Sequence, residues 1–159
     1  MCLVIDTCCL AAVFDGENEH HQKFEPVLRW ITSRGRMIYG GTKYNSELGR
    51  ARKYLPYVAE LSRQRKTIQI PTATVDLIAA QLKRKFDEAS FNDEHIIALV
   101  IASRCGVVCT DDHDAISYLK REEIFKGYPG ASRPQIFRGH KSHKKLCCNK
   151  NILGLCRPR

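Results

Sequence analysis

From Arg133 to its last residue the chain has no aspartate or glutamate. The same stretch carries eight basic residues: Arg133, Arg138, Lys141, Lys144, Lys145, Lys150, Arg157 and Arg159. The 159-residue chain has a net charge of +9, so without those eight the first 132 residues stand at +1. A nearly neutral body with a basic tail suits a polyanionic partner, nucleic acid before membrane. Long apolar runs are also missing: none reaches the ~18 residues that a bilayer span needs. Met1-Cys-Leu-Val-Ile-Asp6 lacks the basic segment and long apolar stretch of a signal peptide. The expectation is a cytoplasmic protein with no membrane partner.

Regular cysteine spacing is absent too. The eight cysteines follow no disulfide pattern. Cys2, Cys8, Cys105 and Cys109 lie among apolar residues and are expected to behave as free, small core hydrophobes. In the tail, His140, His143, Cys147, Cys148 and Cys156 match no zinc-ligand spacing. No internal repeat is present. Nor does an Asp-x-Asp follow the first apolar run, because Asp6-Thr7-Cys8 holds one acid. That argues against a phosphatase using such a nucleophile.

What the chain does contain is an alternation of short apolar runs and helical patterns. Leu3-Val4-Ile5, Met37-Ile38-Tyr39, Thr67 to Ile70, Val107 to Cys109 and Gln135 to Phe137 read as strands. Helices are predicted from Cys8 to Phe14, Asn18 to Thr32 and Thr42 to about Leu55, with Thr42 as N-cap. Pro26 is expected to be tolerable only in an early turn, and Pro56 to interrupt the third helix or start another running to Gln64. Further helices are predicted over Val75 to Phe86, from Ser90–Asp93 to a stop at Gly106, and from His113 to about Glu123. Beyond Arg138 the composition is too polar for regular structure, although Ile152, Leu153 and Leu155 have the character to dock. Strands alternating with helices predict an α/β fold, a mostly parallel sheet with helices on both faces.

The acidic residues fall at telling places. Asp6 follows the first strand, Glu47 lies early in a helix after the second, and Asp93 opens the apolar helix. Asp111, Asp112 and Asp114 follow the strand Val107 to Cys109. In a parallel sheet, strand C-termini and the helix N-termini after them share one edge, where open α/β sheets bind ligands. Each acid has a plainer role: Asp6 as a cap, Glu47 paired with Arg50, Asp93 in a capping box with Ser90, and Asp111 to Asp114 as helix N-terminal acids. Carboxylates gathered at one edge repel one another unless a cation sits among them, and hard divalent cations take oxygen ligands. His95 and His113 beside these acids read as neutral helix-surface histidines.

Val4-Ile-Asp6-Thr7, Ser46-Glu47-Leu48, Asp93-x-His95-Ile96 and Thr110-x-Asp112-x-Asp114 together resemble the PIN domain over roughly residues 1–137. The resemblance implies a three-layer α/β/α nuclease fold with a Mg²⁺ or Mn²⁺ site, cutting RNA to 5′-phosphate and 3′-hydroxyl ends. It implies that Asp6, Glu47, Asp93 and Asp112 form the catalytic and metal-binding set, with Thr110 and Asp114 as accessory residues. Asp111 stands where the family has a non-acidic residue. Many bacterial members resemble the toxin of a toxin–antitoxin pair, which implies an antitoxin-like protein partner and a homodimer. Residues 138–159 form a basic tail beyond the resemblance, in which Lys141, Lys144, Lys145 and Lys150 are suited to contact phosphates. The alternative function is a non-catalytic nucleic-acid-binding module on the same fold.

Overall fold

The structure, a computed structural model, describes residues 2–86 and 91–148. Ser90, Lys150, Ile152, Leu153, Leu155 and Cys156, named above, lie outside the described residues. The first strand, β1 (Cys2–Ile5), is buried along its whole length, as a central parallel strand covered on both faces must be. A short 3-10 turn (Thr7–Cys9) leads into α1 (Leu10–Phe14) and α2 (His21–Ser33). The chain then forms β2 (Arg36–Gly40), α3 (Thr42–Arg50), a 3-10 turn (Arg52–Tyr54), α4 (Leu55–Arg63) and β3 (Thr67–Ile70). Next come α5 (Thr72–Lys85), α6 (Glu94–Ser103), β4 (Val107–Cys109), α7 (His113–Leu119), α8 (Glu122–Phe125) and β5 (Gln135–Phe137). A last 3-10 turn covers Lys141–Leu146.

The five strands form one parallel sheet in the order β3-β2-β1-β4-β5, flanked by helices in a three-layer α/β/α arrangement. Val4 is in register with Ile38 on one side and Val108 on the other, and Ile5 with Cys109. The chain steps outward from β1 to β3, then returns across the sheet to β4. The order therefore reverses between β1 and β4, the point at whose carboxyl edge open α/β sheets form their ligand crevice. Helix α6 packs on β1, β2 and β3 and is buried from His95 to Ile101, which explains its unbroken apolar sequence.

Several helix ends differ from expectation. Thr42 is the first helical residue, not the cap. Asp76 of α5 caps instead, accepting from the Thr42 backbone N–H at 2.8 Å and from its hydroxyl at 2.6 Å. Gly41 precedes it at φ 85°, a conformation that favours glycine, and a Cβ there would meet Val75. Helix α3 stops at Arg50, and Pro56 lies in the first turn of α4, where its missing N–H is not needed. Pro26 lies inside α2, not in an early turn, and is buried there. Helix α6 ends at Arg104, which takes the left-handed conformation two residues before Gly106. The helix expected from His113 to Glu123 is two, broken at Lys120-Arg121.

Two thiol expectations change. Cys2 is disulfide-bonded rather than free, and Cys8 is exposed rather than in the core. The described part of the tail is not detached: Leu146 is buried against the core, and the Arg138 backbone N–H donates to His143 Nδ1 at 2.9 Å. Because Asp76 holds α3 from another helix, Asp76→Ala is expected to lower the unfolding free energy by about 1 kcal/mol. Urea denaturation followed by circular dichroism measures it.

Candidate active site

Asp6 and Thr110 are each the first residue beyond a strand. The Asp6 backbone N–H donates to Cys109 O at 2.9 Å, and that of Thr110 to Phe137 O at 3.2 Å. The pairing of the sheet thus carries both residues side by side to the crevice. There the Thr110 hydroxyl donates to Asp6 Oδ2 at 2.7 Å, and Asp6 Oδ1 accepts from the Cys8 N–H at 3.3 Å. Both Asp6 and Thr110 are buried. The capping role weighed for Asp6 is real, and it coexists with a place in the crevice. Thr110 Oγ1 also accepts from the Asp112 N–H at 3.1 Å. Asp112 in turn caps α7, its Oδ1 accepting from the Asp114 and Ala115 N–H groups at 2.8 and 3.1 Å.

Glu47 reaches the same place from α3. One turn earlier, the buried Tyr44 hydroxyl donates to Ile5 O at 2.6 Å, which ties α3 to the end of β1. Glu47 Oε2 accepts from the Thr7 hydroxyl at 2.8 Å and lies 3.2 Å from His95 Nε2. These contacts replace the surface pair with Arg50 that its spacing allowed. His95 is 3% exposed, so it is not a helix-surface residue. Burial lowers its pKa, outweighing the nearby Glu47 charge, so the ring is neutral at pH 7. The neutral ring donates through Nε2 to Glu47, which leaves Nδ1 buried without a partner among the described residues.

Asp93 is the residue before α6 and makes no side-chain capping bond to it; Ser90, its partner in the expected capping box, lies outside the described residues. Its pKa is raised to about 6, first by burial and then by the charges of Asp112 and Asp6; Lys43 opposes the shift and Glu47 adds to it. The carboxylates predicted from sequence are therefore neighbours that feel one another's charge. Glu94, the adjacent acid, is engaged elsewhere: its Oε1 pairs with Lys43 Nζ at 3.2 Å. Lys43 Nζ also donates to Asn92 O.

The other acids stand apart. Asp111 is exposed and pairs with Arg138 Nε at 2.9 Å, so its charge is spent on the start of the tail. Asp114 and His113 are exposed in the first turn of α7. Lys141, Lys144 and Lys145 are exposed on the 3-10 turn after β5. Sequence reasoning passed over Thr7, Lys43 and Tyr44, and it misjudged His95. The signal for Thr7 and His95 is adjacency, since they lie one and two residues from Asp6 and Asp93.

Asp6, Glu47, Asp93 and Asp112 are all-oxygen donors, the chemistry that suits a hard divalent cation rather than zinc. Among the described residues no group of three or more His, Cys, Asp or Glu is placed to hold a metal ion as they stand. Mg²⁺ does not require one, because it keeps several waters and uses one or two carboxylates directly. Burial first, and then the charges of Asp112, Asp6 and Glu47, raise the Asp93 pKa, and a cation there would offset both.

The raised Asp93 pKa has a pH signature in metal-free protein. Between its unfolded pKa near 3.8 and its folded value of about 6, Asp93 binds its proton more readily in the folded chain. Stability from this group is therefore present below about pH 4 and is lost as pH rises through 6. In EDTA at pH 7.5, Asp93→Asn is expected to raise stability by about 1–2 kcal/mol, after discounting for partial exposure. The gain should vanish near pH 4, and thermal melts across that range test it.

No protein-family model, no characterised protein and no solved structure matches this chain.

Proposed function

We propose that the chain is a metal-dependent endoribonuclease of the PIN type, using Mg²⁺ or Mn²⁺ to hydrolyse RNA phosphodiester bonds. The observation that carries this reading is the gathering of Asp6, Glu47, Asp93 and Asp112 at the sheet's switch point, close enough for three of them to raise the pKa of the fourth. The basic residues on the turn after β5 supply the matching affinity for a phosphate backbone.

In this reading Asp6, Glu47, Asp93 and Asp112 hold the metal. A metal held there would supply a water of lowered pKa and offset charge on the phosphate and the departing oxygen. The remaining work belongs to groups that fix the carboxylates. Thr110 and the Cys8 N–H hold the two oxygens of Asp6. The start of α7 holds one oxygen of Asp112, and Thr7 and His95 hold one oxygen of Glu47. Each carboxylate so held resists turning toward solvent when the charge at the site changes. Asp93, raised to about 6, is ionised above that pH and becomes available to a cation.

Purified protein with Mn²⁺ is expected to cleave single-stranded RNA, and Asp6→Asn and Asp112→Asn to lose about a hundred-fold or more of that activity. A wild-type chain that cuts no RNA, with neither variant altering Mn²⁺ affinity, would refute the proposal. His95→Ala is expected to weaken Mn²⁺ binding by about ten-fold or more, because it frees Glu47. Isothermal titration of Mn²⁺ reads that effect independently of cleavage.

A further inference from the structure

The described tail turn and the acidic site account for one half of the sheet's carboxyl edge, the half nearest β5. The other half, beyond β1 toward β2 and β3, has a groove of its own. It lies between α3 and α5, has a volume of about 460 Å³, and is lined by Lys43, Ser46, Glu47, Arg50, Asp76 and Ala79 among others. Lys43, Glu47 and Arg50 fall at i, i+4 and i+7, so they form one stripe along α3. Glu47 belongs both to this groove and to the acidic site, so the groove opens directly into that site.

Its charges sort into committed and available. Asp76 uses both carboxylate oxygens on Thr42 at the start of α3, where the helix dipole offsets its charge. Glu47 is drawn to Thr7 and His95. Lys43 leans on Glu94 and the Asn92 carbonyl, beside Asp93. Arg50 is exposed and has no ion-pair partner among the described residues. One uncommitted cation, Arg50, thus faces a groove whose other charges are already engaged, while Ala79 and the aliphatic stem of Lys43 give it an apolar wall.

We infer that this groove is the subsite for the nucleotide flanking the scissile phosphate on the side away from the tail. Arg50 holds its phosphate, the apolar wall takes the base, and the Ser46 hydroxyl hydrogen-bonds it. The inference rests on the nuclease reading and adds to it a path for the strand. A single RNA strand enters over Lys141, Lys144 and Lys145, crosses the carboxylates at β4 and β1, and leaves along α3. From β5 to β2 is three strand spacings, about 14 Å. A flexible single strand can follow that line with its bases turned out.

The test measures binding of a 20-nucleotide single-stranded RNA to the full chain carrying Asp112→Asn, by fluorescence anisotropy between 50 and 300 mM KCl. Arg50→Gln, exposed and remote from the core, is expected to weaken binding about four-fold near 150 mM salt and to flatten the salt slope by about 0.7. Ala79→Phe, which fills the groove, is expected to weaken binding with the slope unchanged. Lys144→Gln with Lys145→Gln serves as the comparison on the opposite flank. If that pair alters affinity and slope while Arg50→Gln and Ala79→Phe alter neither, the strand does not use the groove and the inference falls alone. If the parent chain binds no RNA at any salt, the nuclease reading falls and the groove with it.

Discussion

Mutual repulsion among carboxylates is the constraint on which this structure turns. Asp6, Glu47, Asp93 and Asp112 come from four different parts of the chain, yet Thr110 and Thr7 link Asp6, Asp112 and Glu47, and the charges of all three act on Asp93 behind its burial. Unpaired negative charges brought together at a partly buried crevice destabilise the fold that brings them together. The chain meets this cost with donors fixed in place. Thr110, Thr7, His95 and the N–H groups of Cys8, Asp114 and Ala115 each donate to one of three carboxylates. Asp93 is left with burial and like charges, which raise its pKa to about 6.

The supports come from the ordinary parts of an α/β fold. Asp112 begins a helix and Asp6 begins a turn, so each carboxylate does the capping work that its position predicts. Capping spends one oxygen of Asp112 and one of Asp6, and it sets the direction of both side chains. Structural and site roles are therefore not alternatives at these positions. Weighing one against the other, as the bare sequence invites, poses a choice that the geometry does not require. Asp93 is the contrary case: it precedes α6 and leaves the helix uncapped by its side chain.

Much of the architecture was legible in the sequence. β4 and β5 coincide with the expected runs Val107–Cys109 and Gln135–Phe137, because short β-branched runs between turn signals have few other uses. The apolar run from Ile96 to Ala102 announced a buried helix. Helix ends were less legible where the capping group lies far along the chain. Thr42 looks like a cap, and the actual cap, Asp76, is 34 residues away. His95 looked exposed because a histidine beside two acids usually is. It is buried because α6 is buried without a break from His95 to Ile101.

By itself the sequence determined the alternation of elements, the parallel sheet, and which acids fall at the ends of strands or the starts of helices. These follow from local pattern: period, chain reversal and the chemistry of caps. Only the tertiary structure decided that β1 and β4 are neighbours, so that Thr110 meets Asp6 across 104 residues. It also set Asp111 against Arg138 and so apart from the other acids, and it brought His95 to Glu47. The physical reason is that hydrogen bonds and charge repulsion act over a few ångströms of space, whatever the separation along the chain.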